Sequence, residues 1–146
     1  MKFSEFKYEH LDYEVLKKEY EERLNTLRNS GDVETFMKAF EELNVFRGHI
    51  DSMRTICSIR HTINTADAYY DKENEYWDQT SPLLQAYEVE LAKIMLESPF
   101  RNQTDIPKAN YLSLENTLKS FSEEIIEDMQ DENRSDEHTS ELQSRI

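Results

Sequence analysis

From Asp32 to Asn64 the chain runs for some 30 residues without a proline. Its apolar side chains fall at Val33, Phe36, Phe40, Leu43, Phe46, Ile50, Met53 and Cys57. Steps of three and four residues match the period of an α-helix, whereas a half-buried strand would alternate every second residue. At a rise of about 1.5 Å per residue such a helix is roughly 45 Å long. Intrinsic propensity alone holds a helix of this kind weakly in water, so it has to lie along other helices for most of its length.

The flanking sequence supplies those helices. Asp12 is placed to cap one that runs to about Asn29, with Leu16, Tyr20, Leu24 and Leu27 on one stripe. "NSGD" then breaks the pattern: Gly31 is expected in the left-handed conformation past a helix end, and Asp32 caps the long helix. After it, "TADAYYDKENEYWDQTSP" reads as a charged helix carrying aromatic rings. Thr80 or Ser81 is expected to cap a fresh start there, with Pro82 at its first position and Leu83, Tyr87, Leu91, Ile94 and Met95 as its stripe. "SPFRNQTDIP" is the clearest linker, and "KANYLSLENTLKSF" and "SEEIIEDMQ" read as two short helices, the second capped by Ser122. With only two glycines and three prolines in 146 residues there are few places to turn. The expected fold class is all-α, built of antiparallel long-helix hairpins.

Charge and composition narrow the function. Seventeen basic against 31 acidic residues give a net charge of −14, which argues against nucleic acid or an anionic membrane surface as the main partner. No apolar run approaches the roughly 20 residues of a membrane span, and "MKFSEFKYEH" has no signal-peptide core. The lone Cys57 cannot form an internal disulfide and is expected in the core, which fits a reducing, cytoplasmic setting.

No catalytic or metal constellation stands out. The histidines are His10, His49, His61 and His138, and none forms HExxH, where two histidines one turn apart bind zinc and the glutamate acts as base. His49 and His61 are twelve residues apart, about 18 Å along one helix axis, too far to share an ion. The pairs Glu21–Glu22, Glu41–Glu42 and Glu123–Glu124 read as solvated faces, and Gly31 and Gly48 stand alone, so there is no phosphate loop. Two groups carry more interest. Tyr69, Tyr70, Tyr76 and Trp77 could line a groove for an extended peptide, although rings that lock one helical hairpin to another are the favoured reading. Arg60, His61, Asn64, Thr65 and Asp67 cluster where side chains of those types cap and tie a buried corner.

Residues 59 to 101, with "RHTINT" at 60 to 65, the acidic-aromatic run after it, "SPL" at 81 to 83 and "SPFR" at 98 to 101, resemble the N-terminal helical region of the oligoendopeptidase F family. These are zinc metallopeptidases related to thimet oligopeptidase. "LKSFSEEIIEDMQDEN", residues 118 to 133, is similar to the family's next segment, and the likeness covers essentially residues 1 to 133. The resemblance implies cytoplasmic cleavage of short peptides in a channel between two mostly helical halves, with zinc held by HExxH and a downstream glutamate. None of those ligands matches a position in this chain. It implies a helical wall for such a channel, inactive alone, whose partners in the parent protein are short peptides and a C-terminal catalytic part. The resemblance sets residues 1–101 as the helical hairpin region and 102–133 as the start of a following segment. "RSDEHTSELQSR", residues 134 to 145, resembles the translation of a sequencing-library adapter, with Asp136 where a direct reading gives Glu. On that reading residues 134–146 are an artefactual disordered tail on a truncated frame, and His138 belongs to no site. The competing expectation is a stand-alone acidic helical module with the aromatic residues as its partner-binding face.

Overall fold

The computed structural model describes residues 5–120. Four α-helices follow in order: α1 (Tyr13–Arg28), α2 (Val33–Ile63), α3 (Ala68–Glu97) and α4 (Lys108–Ser120), with a 3-10 turn at Arg101–Gln103. The described residues contain no strand, and the fold is all-α. The helix expected after Ser122, the pair Glu123–Glu124 and the tail with His138 lie outside the described residues. One compact unit ends at Asp105 and a second begins at Ile106.

Each helix of the first unit starts on an aspartate. The Asp12 carboxylate accepts from the Val15 N–H at 3.2 Å and the Asp32 carboxylate from the Thr35 N–H at 2.7 Å. That backbone bond holds the Asp32 carboxyl below its ordinary range, so the cap's contribution is present above the usual aspartate pKa and is lost as pH falls. Between the two helices the chain turns without a left-handed residue: no glycine has a positive φ. The expectation for Gly31 is therefore corrected. The Asn29 N–H donates to the Asn25 carbonyl at 3.0 Å and the Ser30 N–H to that of Leu27 at 3.3 Å, which closes the helix in right-handed geometry.

Side-chain pairs give the direction of packing. Arg47 meets Glu88, Arg54 meets Ser81 and Arg60 meets Tyr70, so α3 runs back along α2. Tyr20 of α1 sits against both Phe46 of α2 and Tyr87 of α3, which places the three helices around one core. Leu24, Leu27, Phe36, Leu43, Cys57, Leu91 and Met95 are fully buried in it.

Helix α3 overturns one expectation. It continues for 30 residues straight through Pro82, where a cap and a restart were expected. Proline removes the N–H that would reach the Asp78 carbonyl, a local loss. Against that, Glu73, Trp77, Thr80, Leu84, Tyr87, Leu91 and Met95 are all buried at steps of three and four, one stripe in a single phase on both sides of the proline. Breaking the helix would throw half of that stripe out of register, and the packing wins. Leu84 takes the core position expected of Leu83, which is 51% exposed. Pro82 is itself exposed. Pro82→Ala is expected to raise the unfolding free energy by about 2 kcal/mol, the roughly 3 kcal/mol helix penalty being offset by up to about 1 kcal/mol from the freer unfolded chain. A urea titration followed by circular dichroism checks this; an unchanged or lower midpoint would mean that the ring contributes packing of its own.

Candidate functional site

Residues 6 to 11 form a strap without regular secondary structure that leads into Asp12 and contacts α2 and α3. Its contacts define the most elaborate polar group in the described chain. The Tyr8 hydroxyl donates to Glu73 Oε1 at 2.6 Å and accepts from the Trp77 indole N–H at 2.9 Å. His10 Nδ1 lies 2.8 and 3.0 Å from the two oxygens of the same carboxylate. The Tyr76 hydroxyl donates to the Leu11 carbonyl at 2.5 Å, and Arg60 donates to the Phe6 carbonyl and, at 2.8 Å, to the Tyr70 hydroxyl. His49 Nε2 meets Glu9 Oε1 at 2.8 Å, and the Glu9 N–H points at Met53 Sδ, 3.4 Å away.

Glu73 is the centre of this group, and it is only 8% exposed. A carboxylate so placed needs hydrogen-bond donors, and the strap delivers two of them. Burial, then donation to Glu73, push the Tyr8 phenol well above its ordinary pKa. Beside Tyr8 lies Cys57, fully buried, its thiol also pushed up, first by burial. That is opposite to the shift of an activated thiol, so Cys57 is a core residue and no nucleophile for the His10–Glu73 pair.

The four aromatic residues singled out by sequence are brought together here, around the strap. Trp77 is buried, Tyr70 and Tyr76 are half-buried, and Tyr69 is 51% exposed. Tyr8 stands edge-on to Tyr69 at 6.2 Å and to Tyr70 at 5.5 Å, and His10 tilts against Tyr76 at 4.5 Å. The Arg60–Asp67 corner is tied as expected through side chains: the Asn64 carboxamide accepts from the Ala66 N–H at 3.2 Å, and Asp67 accepts from Tyr69 and Tyr70. It differs in being open, since residues 62 to 66 are exposed and the link to the interior runs through Arg60. His61 is half-buried, with Nδ1 enclosed and unpaired.

A second polar group joins α1, α2 and α3. Arg47 grips Glu88 with two bonds, Nε at 3.0 Å and Nη2 at 2.7 Å, and the Tyr20 hydroxyl donates to Glu88 at 3.0 Å. Neither this group nor Glu73 was visible as a site in the sequence. The signal that marks them is a charged residue on, or next to, a buried stripe: Glu73 four before Trp77, Arg47 after Phe46, Glu88 after Tyr87.

Among the described residues no three or more His, Cys, Asp or Glu side chains converge to hold a metal ion. Those residues therefore do not fit zinc. No described helix is long and apolar enough to cross a membrane.

The family model for the Peptidase M3 N-terminal domain matches residues 3–121. The chain belongs to the Peptidase M3 N-terminal domain family. Solved structures agree with the match to the M3 N-terminal domain. A protein assigned as an oligoendopeptidase F superposes with a TM-score of 0.82 at 34% identity, over 92% of this chain and 24% of its own. PZ peptidase A, solved with an inhibitor, gives 0.81 at 34% identity, over 91% of this chain and 24% of its own. A protein assigned as an oligoendopeptidase F from Bacillus anthracis str. Ames gives 0.81 at 29% identity, over 94% and 26%. This chain therefore spans about a quarter of the length of the solved chains it matches. No curated protein matches it by sequence.

Proposed function

We propose that this M3 N-terminal domain is the helical wall of a zinc-dependent oligopeptidase that hydrolyses short peptides in the cytoplasm, and that the chain alone is inactive. One observation carries the reading: the chain aligns at a TM-score of 0.82 with a quarter of an oligoendopeptidase F, while its described residues bring together no metal-ligand set. The catalytic HExxH, its zinc and the peptide-cleaving centre then belong to a C-terminal part, which is this chain's partner along with the peptide substrates. Residues 1–101 form the wall's hairpins, 102–133 begin the next segment, and 134–146 are a foreign tail. Of the four aromatics, Tyr69 has surface left to face a peptide, the other three being engaged within the chain.

The test is hydrolysis of a mixed set of quenched-fluorescent short peptides by the purified chain, with zinc and with chelator. No cleavage in either condition is expected. Chelator-sensitive cleavage that follows the chain through purification would overturn the reading. An independent read of the gene beyond codon 133 is expected to continue in frame to HExxH; a natural stop there would favour a stand-alone interaction module.

A further inference from the structure

We propose that the surface of α2 and α3 beneath residues 6–11 is a seat for an extended peptide segment, now filled by the chain's own N-terminal strap, and that the strap leaves it while the three helices stay folded.

The seat recognises main chain. Arg60 holds the Phe6 carbonyl at one end, Tyr76 holds the Leu11 carbonyl at the other, and Met53 Sδ receives the Glu9 N–H between them. Groups aimed at a backbone serve any extended segment of that length. Side-chain choice comes from Tyr8 and His10, two residues apart and both reaching Glu73. Main-chain bonds for affinity with pockets for alternate side chains for selectivity is how extended peptides are bound elsewhere. The ligand class follows: an extended peptide with a phenol and, two residues later, an imidazole or similar donor.

The strap is also suited to leave. Phe6, Lys7, Glu9 and His10 are exposed, and the strap is held mainly by hydrogen bonds and by the rings of Tyr8 and His10 against Tyr69, Tyr70 and Tyr76. The core of Leu24, Leu27, Leu43, Leu91 and Met95 is contributed by the helices alone. Segments with little buried apolar surface open at lower free energy than the body they rest on.

The chain carries one cysteine, and it lies under the strap beside Tyr8, which provides the test on the intact chain. Labelling of Cys57 by a thiol reagent under native conditions is expected to outpace global unfolding. His10→Ala and, separately, Tyr76→Phe are expected to accelerate it about tenfold, the effect of one lost hydrogen bond, with labelling still faster than global unfolding of the same variant allows. A synthetic peptide spanning Glu5–Asp12, at millimolar concentration, should then slow labelling of either variant by occupying the vacated seat. The same peptide with alanine in place of Tyr8 should not. Labelling that tracks global unfolding in every variant would overturn the proposal, and so would faster labelling on which neither peptide has any effect.

Discussion

Glu88→Ala is expected to lower the unfolding free energy by about 3 kcal/mol. Glu88 is where α1, α2 and α3 meet electrostatically: a fork from Arg47 and a hydroxyl from Tyr20 end on one carboxylate. The Glu88 and Arg47 side chains keep 29% and 31% of their exposure, between a surface pair worth about 0–1 kcal/mol and a buried one whose breaking costs about 3–5. Two consequences push the effect toward the larger value. Tyr20 is 2% exposed, so its hydroxyl finds no water when Glu88 goes. Burial opposes the Arg47 charge, and the bonds from Glu88 are what more than offset this. Glu88→Gln, which can still accept from Tyr20, should cost less than half as much. A double-mutant cycle with Arg47→Met should return a coupling above about 1 kcal/mol, because removing both partners leaves nothing stranded. A coupling near zero would show the fork to be a surface pair in effect.

The parts of this fold that the sequence displays are those in which local chemistry and packing agree. Helix α2 is bounded by Asp32 and Asn64, both legible as punctuation, and the stripe between them is unbroken. At Pro82 the two disagree, and packing decided: a proline at an exposed position loses one backbone bond, whereas a restart would misplace the stripe from Leu84 to Met95. The strap was illegible for another reason. "FKYEHL" is too short to show a helical period, and its partners lie 40 to 69 residues away on α2 and α3. Only the fold brings Tyr8 to Trp77. Glu73 sits in "YDKENEYWD", where one carboxylate looks like the next until the phase set by Trp77, Thr80 and Leu84 is extended backwards. The four aromatics were legible as a group, since they share one end of one helix. What they grip was not, because the strap gives no signal of its own.

The largest effect of solution conditions is expected on the alkaline side. Tyr20 and Tyr87 stack at 5.0 Å in the core, 2% and 9% exposed. Burial is the first cause that raises both phenols above the usual tyrosine value; the Glu88 charge comes next for Tyr20, while Tyr13 and Glu21 add to it for Tyr87. A folded-state pKa raised above the unfolded one contributes stability that is whole below about pH 10 and is lost as pH rises toward the folded value. In that window the unfolded chain has released protons that the folded chain retains. Each pH unit above 10 therefore costs up to about 1.4 kcal/mol per tyrosine, which over two units for the pair is a large share of the roughly 5–15 kcal/mol that holds a domain together. Tyrosinate absorbance should accordingly rise in two phases, the second coinciding with loss of helical circular dichroism. Tyr20→Phe keeps the ring stack but removes an ionisable hydroxyl. It should be about 1 kcal/mol less stable than the parent at pH 7, having lost the bond to Glu88, and more stable than the parent at pH 12. A single tyrosinate phase near pH 10 with the helices intact, or a Tyr20→Phe chain that stays the weaker at both pH values, would show that the core admits the charged phenol.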